Sequence, residues 1–198
     1  MNICVYGASS NAISPKYIKA VEALGEAMGQ RGHSLVFGGG ASGAMGASAR
    51  GCQRGGAPAI IGVAPSFFRV DGVLFGECTE MIHTNTMRER KQILEDRSDG
   101  FVIAPGGIGT FDEFFEILTL KQLGRHNKPI VIYNVDGYYD LMLAMLRQTA
   151  KEDFMNDSTM DLYAVLDDPH AVLDYIEGYD EPMHEVSFFK KINEGNDD

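Results

Sequence analysis

Basic residues are scarce. Lys and Arg total 17 against 28 Asp and Glu, a formal net charge of −11 over 198 residues. That balance excludes the basic footprint of a nucleic-acid binder, and anionic ligands are expected only where cations gather locally. Tryptophan is absent and cysteine nearly so. Cys4, Cys52 and Cys78 are odd in number, widely spaced and without a C-x-x-C, so neither a disulfide framework nor a zinc site is expected, and no other metal. No apolar run approaches the ~20 residues of a membrane span. The first residues, Met1 to Gly7, read as a strand rather than as a signal segment with a basic head. The sequence therefore predicts no membrane partner and a cytoplasmic location. What is present is ordinary for a globular chain, 44% apolar and 23% charged. A chain of this size buries roughly 70% of its unfolded surface.

Short apolar runs alternate with amphipathic segments. Ile3–Tyr6, Leu35–Phe37, Ile60–Val63, Phe101–Ala104 and Ile130–Tyr133 read as buried strands bounded by Gly or Pro, and Glu80–Thr84 as a further one. Pro15–Arg31 reads as a helix, with Ser14 as N-cap and Gly32 as its stop; Ile18, Val21, Leu24 and Met28 mark its buried face. Ser42–Arg54, Thr86–Asp96, Thr110–Leu123, Tyr138–Glu152 and Pro169–Glu177 are the other predicted helices. The expectation is an α/β, Rossmann-like, doubly wound parallel sheet with helices on both faces. Residues 1–180 are read as one domain and 181–198 as an acidic C-terminal tail.

In such a sheet, ligands bind beyond the carboxyl ends of the strands, and three loops there are rich in glycine. The first, Gly7-Ala8-Ser9-Ser10-Asn11, is either a simple turn or a place where backbone N–H groups meet an anion. The second contains G-x-G-x-x-G as Gly38, Gly40 and Gly43. It follows the second strand, and no Asp or Glu occurs between Glu26 and Asp71 to hold a cofactor ribose, so dinucleotide binding is not expected. Close backbone approach to a ligand survives. The third, Ala104-Pro105-Gly106-Gly107-Ile108-Gly109-Thr110, opens a helix and offers a cradle of amides at its positive end. No Lys-Ser/Thr pair follows, so it is not a Walker loop.

Thr110-x-x-Glu113, taken alone, reads as a capping box. A helical wheel places Phe111, Phe114, Phe115 and Leu118 on one side, the expected buried stripe, with Glu113 and Glu116 opposite. On this reading Glu113 is a first-turn carboxylate kept ionised by the helix dipole at the mouth of the cradle. Met87-Arg88-Glu89-Arg90-Lys91 gathers three cations. They read either as a solvated helix face or as a site where Arg90 forks onto phosphate or ribose oxygens.

Together these residues resemble a known family. Pro105 to Glu113 fits the P-G-G-x-G-T-x-x-E signature of the LOG (Lonely Guy) proteins, long mislabelled as lysine decarboxylases. Phe37 to Gly46 is similar to the family's Y-G-G-G-x-x-G-L-M-G, with Phe37 and Ala44 as departures. Met87 to Lys91 resembles M-H-x-R-K, with Arg88 where His is usual, and Asn134 to Tyr139 and Tyr17 to Gly32 also match. The resemblance spans about Met1 to Glu177. It implies a homodimeric enzyme that cleaves the N-glycosidic bond of a nucleoside 5′-monophosphate, of the cytokinin-activating type, without metal or redox cofactor. By motif, Arg90 and Glu113 are the implied catalytic pair. Lys91, Gly106, Gly107, Ile108, Gly109, Thr110, Asp112 and Thr119 are implied substrate contacts, with Asp71 as the nearest candidate for an acidic contact upstream. Ser9 and Gly43, from the first two loops, are counted with them.

The chemistry of that bond suits the residues. Its cleavage develops oxocarbenium character on the ribose, which an ionised carboxylate stabilises. Two alternatives stand beside it: a general nucleosidase acting on AMP, and a nucleotide- or phosphate-binding protein without turnover. A pyridoxal-phosphate decarboxylase would need a Schiff-base lysine and an acid for the pyridinium nitrogen. Lys91, its pKa lowered by neighbouring cations, is the only residue here that hints at one.

Overall fold

The computed structural model describes residues 1–182, so the tail expected at 181–198 lies outside the described residues from position 183 onward. Strands β1 (Asn2–Tyr6), β2 (Ser34–Phe37), β3 (Ile60–Pro65), β4 (Glu80–Thr84), β5 (Gly100–Ile103), β6 (Ile130–Tyr133) and β7 (Ala164–Leu166) form one sheet. Every pairing is parallel, in the order β4-β3-β2-β1-β5-β6-β7. Helices α1 (Pro15–Gln30), α2 (Gly43–Gly55), α3 (Met87–Asp96), α4 (Ile108–Gln122), α5 (Asp140–Lys151) and α6 (Pro169–Glu177) cover both faces. Strand alternation builds the two layers. Ile3 and Val5 pack toward α1, α2 and α6, while Cys4 and Tyr6 pack toward α3, α4 and α5. Among the described residues, no helix is long and apolar enough to cross a membrane.

The expected strands and helices agree with these elements to within two residues at each end. β7 is the addition: only three residues long, with Val165 40% exposed, it lacks the buried apolar run that marks the others. Ser14 stands at the N-cap of α1 but makes no side-chain capping bond, whereas Asp168 Oδ1 caps α6 by accepting from the His170 and Ala171 N–H groups, each at 2.9 Å.

Two features of this fold position the site. β1 and β5 are neighbours, but the chain leaves β1 toward β2 and β5 toward β6, so their outgoing loops diverge and open a crevice between them. The second is the contact between α1 and α2, backbone against backbone. A Cβ on Gly25 would stand 2.3 Å from the Ser48 carbonyl oxygen, and one on Gly51 2.1 Å from that of Glu22. Any larger residue would force the helices apart. The contact draws the loop after β2 against the loop after β1. Gly43, at φ +62°, is so close that a Cβ would lie 2.4 Å from the Ala8 carbonyl oxygen.

Candidate active site

The crevice holds a cavity of about 820 Å³, within the roughly 300–1,000 Å³ usual for small-molecule sites. The loops after β1, β2 and β5 supply its glycine floor. Gly107 takes the N-cap of α4, and no side chain caps that end. The amides of Ile108, Gly109 and Thr110 are therefore left without intrahelical partners, at the positive end of the helix, facing the cavity.

The capping box expected at Thr110 and Glu113 does not form. Because Gly107 lets the helix begin at Ile108, Thr110 is its third residue and Glu113 its sixth, too deep to cap. Thr110 instead folds back over Gly106, where a Cβ would meet its Oγ1 at 2.1 Å. A variant of the box occurs at α3, its return bond reaching the residue before the N-cap: Thr86 Oγ1 accepts from the Glu89 N–H at 3.1 Å, and Glu89 Oε2 accepts from the Asn85 N–H at 2.8 Å. Glu89 is exposed, and its carboxylate is committed to the start of α3.

The wheel also needs correction. α4 buries Thr110, Glu113, Phe114, Ile117, Leu118 and Lys121, a three-four spacing that includes the carboxylate; Phe111 and Phe115 lie at its margin. Glu113 is on the buried side, not opposite it. A carboxylate is stable there because Arg90, itself 6% exposed, donates from Nη1 to Glu113 Oε1 at 2.7 Å. Arg90 Nε is anchored on the Val63 carbonyl at 3.1 Å. The guanidinium also abuts Gly38 through Nη2, where a Cβ would stand 2.2 Å from that atom. Burial pushes the Glu113 carboxyl above its ordinary value, and the Arg90 charge and hydrogen bond oppose that rise. The expected depression by the helix dipole does not decide its state. Among the described residues lining the cavity, Arg90 and Glu113 are the only charged side chains.

Of the residues expected to contact substrate, Ser9, Gly106, Gly107, Ile108, Gly109 and Thr110 line the same cavity. Five expected contacts do not. Lys91 donates to Asp112 Oδ2 at 3.0 Å and pairs with Glu116, which keeps Lys91 and Asp112 on the outer side of α4. Burial pulls the Lys91 pKa down, but the two carboxylates outweigh it and the net direction is up, the reverse of the lowering expected from neighbouring cations. Thr119 is exposed further along the helix. Gly43 gives its N–H to Asn11 Oδ1 at 2.8 Å, within the packing of the two loops. Asp71 is exposed beside the cavity wall, and Arg88 is exposed outside it.

Sequence reasoning missed the apolar wall. Ile13, Tyr17, Met45, Val73, Leu74 and Met87 come from separate loops and helix ends and share no local pattern. The segment carrying Val73 and Leu74 is held by the Ala41 N–H donating to the Val73 carbonyl at 2.9 Å and the Phe75 N–H to that of Gly39 at 2.8 Å. Tyr138 also lines the cavity, and its motif, Asn134 to Tyr139, was the available signal. Among the described residues, no group of three or more His, Cys, Asp or Glu is placed to hold a metal ion.

The family described as "Possible lysine decarboxylase" matches residues 45–176. A probable cytokinin riboside 5′-monophosphate phosphoribohydrolase of Oryza sativa subsp. japonica is 37% identical over 180 residues, covering 89% of this chain and 78% of the relative. A cytokinin riboside 5′-monophosphate phosphoribohydrolase of Arabidopsis thaliana is 31% identical over 190 residues, covering 96% and 88%. Among solved structures, the molybdenum cofactor carrier protein of Chlamydomonas reinhardtii superposes with a TM-score of 0.67 at 20% identity, covering 89% of this chain and 95% of that one. At that identity the likeness establishes the shared sheet architecture alone.

Proposed function

The chain belongs to the LOG family of phosphoribohydrolases, and from that membership we propose that it hydrolyses the N-glycosidic bond of a purine nucleoside 5′-monophosphate to free base and ribose 5-phosphate. The observation that carries the reading is the buried Arg90–Glu113 pair, which faces the same cavity as the open amides of α4. Anion binding alone needs the amides but gains nothing from a carboxylate beside them. A reaction that develops positive charge on the sugar needs both.

In this reading the Gly106–Thr110 amides hold the 5′-phosphate, and that remote binding orients C1′ over Glu113. As the C1′–N bond lengthens, its electron pair leaves with the base, and the Glu113 carboxylate stabilises the oxocarbenium-like ribose. Water then bonds to C1′, giving up one proton as the base gains one. Arg90 fixes the Glu113 rotamer and opposes its protonation, while its Nη2 is left to meet a ribose oxygen. The apolar wall of Ile13, Val73, Leu74 and Met87 favours a purine with an apolar N6 substituent. Lysine decarboxylation is disfavoured: Lys91 is outside the cavity and tied to two carboxylates, and Lys121 does not line it either.

Residues 1–180 form the catalytic domain, and the working unit is a cytoplasmic homodimer. Exposed Leu141 and Met145, four apart on α5, support self-association, and three unpaired thiols suit a reducing compartment. Incubation with AMP and with an N6-prenylated AMP, quantifying base and ribose 5-phosphate, tests the activity. Faster release from the prenylated substrate is expected. Equal rates would favour a general nucleosidase, and release from neither would overturn the hydrolase reading.

A further inference from the structure

Three consecutive carbonyls lead into the amide cradle, and each is taken by a donor. The Tyr139 hydroxyl donates to Ala104 O at 2.7 Å, the Ala8 N–H to Pro105 O at 3.1 Å, and the Tyr138 hydroxyl to Gly106 O at 2.7 Å. A peptide unit is planar and trans, so its C=O and N–H point in opposite directions. Holding the Pro105 carbonyl therefore aims the Gly106 N–H, and holding the Gly106 carbonyl aims the Gly107 N–H. Glycine has little rotational preference of its own, so without these bonds the Gly106–Gly107 unit can turn its oxygen toward the cavity.

The two tyrosines reach one loop because of the turn before them. Asp136 at φ 53° and Gly137 at φ 70° are both left-handed. Asn134 locks the far side of that turn: its Oδ1 accepts from the Tyr139 N–H at 2.7 Å and its Nδ2 donates to Asp140 Oδ1 at 2.8 Å. Asp136 is paired with Lys16 on the first turn of α1, which ties the turn to the far wall of the crevice. We propose that Tyr138 and Tyr139 are positioning residues: Tyr138, through the Gly106 carbonyl, pre-sets the Gly107 amide for the 5′-phosphate, and Tyr139, through the Ala104 carbonyl, fixes where the chain enters that loop. Substrate affinity through the phosphate, and not through the nucleoside, then depends on their hydroxyls. The inference rests on the reading that the phosphate of the substrate sits in this cradle.

Burial separates this role from direct contact. Tyr138 lines the cavity, but Tyr139 is 1% exposed and does not, so an effect of its hydroxyl on phosphate binding has to pass through the loop. The experiment compares wild type, Tyr138→Phe and Tyr139→Phe. It measures kcat and KM for the nucleoside 5′-monophosphate, and the inhibition constant of the matching nucleoside without its phosphate. Each variant is expected to raise KM about 3- to 10-fold, the worth of one neutral hydrogen bond, with kcat within about twofold and the nucleoside constant unchanged. Unchanged KM, or an equal rise in the nucleoside constant, overturns the inference and leaves the tyrosines as scaffold. The Tyr138 hydroxyl proton is already committed to Gly106 O, so where Tyr139→Phe fails to fold, Tyr138→Phe decides the matter: an unchanged KM overturns the inference, and a KM rise with an unchanged nucleoside constant supports it. A wild type that binds nucleoside as tightly as monophosphate sinks the cradle reading, and the inference with it; a wild type that prefers the monophosphate, beside unaffected variants, sinks the inference alone.

Discussion

Replacing Gly38 by Ala tests how the proposed catalytic pair, Arg90 and Glu113, is held. Gly38 has no positive φ, so alanine is conformationally allowed there and the effect is steric. The added Cβ would stand 2.2 Å from Arg90 Nη2, 3.3 Å from its Cζ and 2.9 Å from Met45 Sδ, against ordinary contact at 3.4 Å and beyond. The guanidinium has to retreat by about 1 Å. Its Nε is held on the Val63 carbonyl, so the retreat of Nη2 tilts the group and the 2.7 Å bond to Glu113 is lost or bent. A misplacement of ~1 Å at a reacting centre costs about 10²-fold in rate, and overpacking of this kind about 1–3 kcal/mol in stability. We expect kcat/KM for monophosphate hydrolysis to fall about 10²-fold, with a cooperative thermal melt at lower temperature. Gly76→Ala, whose Cβ would meet nothing within 4 Å, is the matched control and should be silent. Activity of Gly38→Ala within twofold of wild type would refute the claim that the Arg90 geometry matters.

Two further predictions concern protons. Burial holds the Glu113 carboxyl above its ordinary 4.5, so kcat/KM should fall on acidification through a limb centred above pH 4.5; a limb at or below that value contradicts the assignment. Lys121 is 1% exposed, and among the described residues its Nζ has no hydrogen-bond partner, only the Tyr179 ring at 4.5 Å. Burial pulls its pKa from 10.5 down to about 8. The unfolded chain thus holds this proton more tightly, and stability rises with pH between about 8 and 10.5. The full penalty applies below pH 8, about 2 kcal/mol once the ring contact and partial hydration are discounted. Lys121→Met should stabilise by about that amount in urea unfolding at pH 7 and by much less at pH 10; a variant less stable than wild type at pH 7 would count against it.

The sheet was readable in the sequence because each strand is a compact apolar run closed by Gly or Pro, and parallel strands buried on both faces leave no other pattern. The cradle was readable for a similar reason: glycines clustered before a helix are a local signal. Glu113 was singled out and does line the cavity, but its environment was misjudged. Periodicity assigns a carboxylate to the solvent face, and only the long-range approach of Arg90, 23 residues earlier, makes its burial affordable. The start of α4 was misplaced because Thr110-x-x-Glu113 imitates a cap that Gly107 makes unnecessary, while the box variant at Thr86 and Glu89 was hidden among cations. Lys91, Asp112 and Thr119 were carried by the motif rather than by geometry, and the structure puts them outside the cavity lining. The apolar wall had no local signal, since its residues meet only through the tertiary fold.

The central claim, that an ionised carboxylate at position 113 carries the chemistry while amides hold the phosphate, is tested most directly by Glu113→Gln. Glutamine keeps the shape and still accepts from Arg90, so only the charge is removed. Monophosphate affinity within about threefold of wild type, measured by calorimetry, and a kcat lower by about 10³-fold or more is the expected result. A glutamine variant that releases ribose 5-phosphate at near the wild-type rate would contradict the account.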